Sequence, residues 1–189
     1  MTQSKTSLVL CTCRADMTSK NGFKWPAVGE VATAPDWKPT PECGNGPHGW
    51  LYGQGDYSCG EYLDETAKWL VVEVITKNIV MIGGKCKFER GVVRFIGDKK
   101  SATDFLIANE PQSARVAVIG ATVIVGDTEN ALTGYKGTAT AGAYGTICIK
   151  YWDSKNERYR TVVGYTGEDG IEANVAYKLD YDHKFVRVA

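Results

Sequence analysis

The sequence has no surplus of charge of either sign. Twenty-two Lys and Arg meet twenty-two Asp and Glu, for a formal net charge of zero. That argues against broad electrostatic capture of nucleic acid. No run approaches the roughly 18 to 20 apolar residues a helix needs to cross a bilayer, so no membrane contact is expected. Ser7 to Leu10 has no convincing cleavage site after it and reads as a strand, not a signal peptide. The expected location is the cytoplasm. Histidine is scarce, with only His48 and His183. No phosphate-binding glycine loop, nucleophile elbow, kinase set or HExxH motif occurs. The chain therefore leans away from an enzyme, and no catalytic residue and no cofactor is expected.

A cysteine framework is also missing. Cys11, Cys13, Cys43, Cys59, Cys86 and Cys148 are scattered through a chain long enough to build its own core, which favours reduced thiols. Cys11, Cys13, Cys43 and His48 could supply a Cys3His zinc set, but C-x-C followed much later by C-x4-H is not the usual C-x2-C knuckle. No metal is expected.

What is present, from Ile119 to Lys150, is one eight-residue phrase written four times: IGATVIVG, DTENALTG, YKGTATAG and AYGTICIK. Thr122, Asn130, Thr138 and Thr146 share one column, and Gly126, Gly134 and Gly142 close the first three units. A short period with glycine in phase points to stacked β-structure. Alternation separates an apolar face (Val123, Val125, Ala131, Thr133, Ala139, Ala141, Ile147, Ile149) from one richer in Thr and Asn. Two units per coil would make a β-roll (solenoid) of about two turns; an antiparallel meander is the alternative.

The expected fold is α+β, predominantly β. A mixed-sheet domain with two short helices occupies residues 1–110, the repeat roll residues 115–150, and β-hairpins residues 151–189. The first helix is expected after Ser58, capped with Glu61 and carrying Tyr62 and Leu63. The second starts at Ser101 and ends near Asn109. Trp69 to Ile75 is the strongest strand. Lys85, Lys87, Glu89 and Arg90 alternate along one strand, which points to a solvent face.

Residues 21–50 hold five prolines and three tryptophans in a stretch too irregular for regular structure. Such a loop must fold onto the body to bury its rings, and a site or lid is expected there. Within it, Cys43-Gly44-Asn45-Gly46-Pro47-His48 offers a thiol, an amide and an imidazole close together. His48 is either a ligand contact or general base, or a histidine that hydrogen-bonds the backbone to hold the loop. Binding would rest on Trp25, Trp37 and Trp50 stacking on a flat ligand, with Arg14, Asp16, Asn45 and His48 giving polar specificity. Cys43 and Tyr62 complete the candidate set.

Thr12-Cys13-Arg14-Ala15-Asp16-Met17, Asn21 to Pro26, Ala34-Pro35-Asp36-Trp37, the Cys43 to His48 segment, Ala67 to Val74 and Gly164 to Ile171 together resemble a family of uncharacterised bacteriophage and prophage proteins. Its members join a Cys-Gly-x-Gly-x-His domain to GTATAG-like repeats. This chain has Pro47 where a bulky apolar residue is usual, and only Lys136 to Gly142 keeps the repeat consensus. The resemblance implies a phage context and this architecture, and no activity. The missing catalytic motifs, the repeats and the Trp-rich loop then lead to the expectation of a phage-derived, non-enzymatic binding protein in the host-cell cytoplasm. It would hold a nucleotide-like small molecule or a host defence protein, and assemble as a homo-oligomer. Two further readings stand beside it. One is an ADP-ribosyltransferase-like domain using NAD, with Arg14 or His48, Tyr62 and Glu73 around the dinucleotide. The other is a structural role, as a virion component or an ice-like Thr face, for which the single Thr138-x-Thr140 pair offers little.

Overall fold

The computed structural model describes residues 5–188, so residues 1–4 and 189 of the expected outer units lie outside the described residues. The chain is mostly β, with a single α-helix among the described residues. Strands β1 (Thr6–Cys13), β2 (Val31–Thr33), β3 (His48–Leu51), β4 (Lys68–Ile75), β5 (Val80–Ile82), β6 (Lys85–Lys87) and β7 (Arg90–Gly97) form one seven-stranded sheet. Their order is β2-β7-β4-β1-β3-β6-β5. Every pairing in it is antiparallel, which corrects the expected mixed sheet. Parallel neighbours need crossovers of a dozen or more residues, usually helical, and this half joins its strands by loops and turns instead.

The central pair, β1 and β4, runs in full register from Thr6 opposite Ile75 to Cys13 opposite Lys68. Both strands are buried on both faces, as their unbroken apolar runs dictate. One face packs Val9, Cys11, Leu70 and Val72 with Trp25 and Phe88. The other packs Leu10, Trp69 and Val71 against Ala102 and Leu106 of the helix α1 (Lys99–Asn109).

Helix α1 ends where the sequence places its end but begins earlier. Asp98, not Ser101, is the cap, its carboxylate accepting from the Ser101 amide at 2.8 Å. The helix expected after Ser58 does not form. That segment holds only a 3-10 turn over Tyr57–Cys59, capped by Asp56, and Tyr62 then takes a left-handed φ of 59°. Such a φ breaks a right-handed helix at the residue meant for its inner face.

In the second half, β8 (Thr122–Ile124), β9 (Asn130–Gly134), β10 (Thr138–Thr140) and β11 (Thr146–Asp153) each begin on the repeated column. Strand β10 lies parallel to β8 with Thr138 opposite Thr122. Strand β11 lies parallel to β9 with Thr146 opposite Asn130. Both pairings shift the chain by two repeat units. Strand β12 (Arg158–Tyr165) returns antiparallel along β11. Strands β13 (Tyr177–Leu179) and β14 (Phe185–Arg187) continue the other sheet beyond β10, giving sheets β14-β13-β10-β8 and β12-β11-β9. The two hairpins expected at the C-terminal end are thus present.

Alternation sorts most of the faces as the sequence implies, but Thr140, expected on the outer face, is buried, and Val123 and Val125, expected inside, are half-buried. Ala131, Ala139, Ala141, Ile147 and Ile149 are fully buried together with Tyr177 and Leu179. Thr133 is the polar member of that inner face, and its hydroxyl donates to the carbonyls of Ala121 (2.9 Å) and Val118 (3.3 Å). A buried hydroxyl with a partner carries no desolvation debt. The turns are tied together as well: the Asp127 carboxylate accepts from the Ala143 amide at 2.7 Å.

Candidate functional site

At the end of β1 that finishes in Cys13, three loops rise around an open cleft of about 520 Å³. They are residues 19–25, residues 35–47 and residues 59–62. Six positions on these walls have positive φ: Asn21, Gly22, Gly44, Asn45, Gly46 and Tyr62. Backbone held in sparsely populated regions needs support from its surroundings, and each loop has its own.

The glycine loop is held by β6. The Lys87 side chain is fully buried, and its ammonium donates to the carbonyls of Glu42 (2.9 Å) and Gly44 (3.0 Å) beneath the face of Trp37. Gly46 cannot be larger, because a Cβ there would lie 2.9 Å from both the Phe88 carbonyl oxygen and the Trp37 ring. The 59–62 loop hangs from Asp56, whose carboxylate accepts from the Ser58 amide, the Ser58 hydroxyl and the Ser154 hydroxyl. The Arg14 guanidinium lies 4.7 Å over the Tyr62 ring and steadies its far end. In the 19–25 loop, the Trp25 indole donates to the Ser19 hydroxyl at 2.8 Å.

His48 belongs to the loop more than to the cleft. Its Nε2 accepts from the Gly44 amide at 3.2 Å, so the ring is neutral there and spent on backbone. Burial, then the charges of Lys85 and Lys87, push the imidazole down from 6.5 to about 4. Of the two roles read for it in the sequence, the geometry matches the loop staple.

Six of the nine candidate residues line the cleft: Trp25, Cys43, Asn45, His48, Trp50 and Tyr62. The tryptophans form its floor, since Trp25 and Trp50 are only 4% and 2% exposed. The Trp50 indole donates to the Asp56 carbonyl at 2.9 Å. Three candidates lie elsewhere. Arg14 covers the outer side of Tyr62, Asp16 caps its own turn by accepting from the Thr18 amide and hydroxyl, and Trp37 packs behind the glycine loop.

Sequence reasoning missed Lys85, Phe23, Ser19 and Cys59, which also line the cleft. Lys85 and Lys87 read as a solvent-facing pair, yet Lys87 is buried and Lys85 half-buried. The missing signal is long-range: pairing of His48 with Lys87 and Gly49 with Cys86 brings β6 beneath the glycine loop.

Neither the zinc set nor the dinucleotide constellation assembles. Cys11 and Cys13 point into the core with Cys86, and among the described residues no three His, Cys, Asp or Glu side chains converge on a metal position. Burial pushes the Cys11 thiol well up and that of Cys13 to about 11, so neither is a nucleophile at neutral pH. Glu73 sits opposite Leu8, five residues along β4 from Lys68 at the cleft end, or roughly 17 Å at strand rise. There it binds Thr6 and Arg94. It cannot share a ligand with Tyr62.

No known family profile matches the chain, and no solved structure matches it. Curated bacterial proteins do. Over 108 residues, 55% of the chain, it is 35% identical to an ice nucleation protein of Xanthomonas campestris pv. translucens, of which the match covers 7%. Over 110 residues, 57% of the chain, it is 36% identical to an ice nucleation protein of Pseudomonas syringae, covering 9% of that protein. Ice nucleation protein InaU of Pantoea ananas is 34% identical over 102 residues, 53% of the chain and 10% of the relative. The chain thus spans a tenth or less of the length of these relatives.

These matches overturn the phage reading. Similarity to named bacterial ice nucleation proteins replaces the phage and prophage family. With it go the phage-derived sequestering protein, the anti-defence role and the placement in a host cell's cytoplasm. The ADP-ribosyltransferase and virion alternatives find no support either. A few short motifs spread along a chain are weaker evidence of kinship than an alignment through half of it.

Proposed function

We propose that the chain is a non-catalytic repeat protein whose second half contacts ice or ordered water. The observation that carries this is the shared two-unit shift. Two separate sheets, β8 with β10 and β9 with β11, are both parallel and both displaced by sixteen residues. One continuous coil, wound twice, satisfies both pairings. In this reading residues 115–150 are a two-turn β-roll, residues 151–189 close one end of it through β12 and β13, and residues 1–110 carry the cleft.

The outer columns of the roll supply the contact. Thr122 stacks on Thr138, and Asn130 on Thr146. Parallel strands hold such hydroxyl and amide groups about 4.8 Å apart, and a rigid backbone lets them fix water at that spacing with little ordering cost. The name of the relatives, ice nucleation proteins, supports carrying this chemistry to the chain. The Thr face offered little on sequence grounds because only one Thr-x-Thr pair is written. Thr140 of that pair is buried, and stacking sets Thr122 beside Thr138 from the neighbouring coil.

Partition into slowly growing ice tests the reading. The purified protein should enrich in the ice fraction relative to a globular control of similar mass. A Thr122→Lys, Thr138→Lys double substitution on this half-buried column should return it to the control. Wild-type protein excluded from ice as completely as the control would sink the proposal.

A further inference from the structure

The cleft of the first half holds a cation without a counter-charge. Lys85 is half-buried, and its ammonium donates to the Cys59 carbonyl at 3.2 Å. Among the described residues no carboxylate lies within salt-bridge distance of it, while the rim residues Lys20 and Glu61 satisfy each other at 3.6 Å. The Asp56 carboxylate nearby is taken by Ser58, Cys59 and Ser154. That single hydrogen bond leaves the Lys85 ammonium with further protons that a bound anion can accept.

The remaining surface of the cleft says what body that anion carries. Phe23 stands edge-on to Trp25, with ring centroids 5.3 Å apart, and Tyr62 faces in from the opposite loop. Trp25 and Trp50 floor the space between. The two carboxylates of the lining are already engaged, Asp36 by the Asn45 amide at 3.4 Å and Glu61 by Lys20. Lys85, by contrast, keeps protons to give, and so does the Ser19 hydroxyl, which is already an acceptor for Trp25. Walls of rings with a free ammonium among them match a flat molecule bearing one acidic group.

We propose that the cleft binds a small aromatic carboxylate, its carboxylate on Lys85 and its ring between Phe23 and Tyr62. This site is separate from the repeat faces and stands or falls independently of ice contact. His48 reports on it. Lys85 is the leading charge that lowers the imidazole's affinity for protons, so an anion seated on Lys85 raises it again.

The test uses benzoate, phenylacetate and indole-3-acetate against their matched amides, followed by calorimetry and by NMR titration of the His48 ring. At least one carboxylate should bind about tenfold or more tightly than its amide and raise the His48 pKa. Lys85→Gln should raise the His48 pKa without ligand and remove both the preference and the ligand-induced shift. Lys77→Gln, outside the cleft, should leave both in place. Absence of binding by all three acids would overturn the proposal. So would equal binding of acid and amide, or a preference unchanged in Lys85→Gln protein of wild-type melting temperature.

Discussion

The buried ammonium of Lys87 donates to the carbonyl oxygen of Gly44 at 3.0 Å, and this bond sets the shape of the cleft wall. The same group holds the Glu42 carbonyl at 2.9 Å. Replacing Lys87 with Met keeps the stem but orphans both acceptors. The expected cost is about 2 kcal/mol, a fall in melting temperature of about 4–8 °C. Hydrogen exchange should quicken in residues 42–46 before it does in β1 or β4. Unchanged exchange in the loop would show that Lys87 does not hold it.

His48 makes stability depend on pH with a defined sign. Its folded-state pKa, about 4, lies below the unfolded value of 6.5. The unfolded chain therefore takes up a proton first as pH falls, and the contribution present above pH 6.5 is lost between there and about 4. After allowance for solvent screening the loss is on the order of 1–2 kcal/mol. Urea denaturation across pH 7 to 4, wild type against His48→Gln, isolates it. The variant should show the shallower slope.

Cys43 is the one exposed thiol of the six. Iodoacetamide should therefore label Cys43 first, with Cys59 and Cys148 slower and Cys11, Cys13 and Cys86 protected until unfolding. Peptide mass spectrometry over a time course checks the order. Early labelling of Cys11 would mean that the β1 core opens far more readily than its packing implies.

The inner face of the repeats is not equally deep along its length. Ala139 is 0% exposed, whereas Val123, its parallel partner, is only half-buried. Ala139→Leu should cost about 1–3 kcal/mol by overpacking, and Val123→Leu less than about 1 kcal/mol. Thermal melts of the two variants make the comparison. Equal losses would place Val123 as deep as Ala139.

Much of the β content was legible because alternation and unbroken apolar runs report burial locally. Val71-Val72-Glu73-Val74 needs no partner to read as a strand, and Tyr159 to Tyr165 needs only its alternating pattern. Helix boundaries were less legible. Asp98 and Asp56 compete with Ser101 and Ser58 for the same cap, and only the observed φ of Tyr62 decides that one segment coils and the other turns. The cleft was half legible. Glycine, proline and tryptophan crowding marks its loop, but the neighbours that give it chemistry lie far along the chain.

The sequence by itself determined a predominantly β chain, the eight-residue period and the inward set of Ala and Ile, since each depends on spacing within a strand or a turn. Tertiary structure alone decided the antiparallel order of the large sheet and the parallel two-unit shift of the repeats. It also decided the burial of Lys87 and the exposure of Lys85 to the cleft. Those outcomes turn on which strand lies beside which. Backbone hydrogen bonds between strands are alike for every residue, so a local pattern shows that a strand will pair without showing with what.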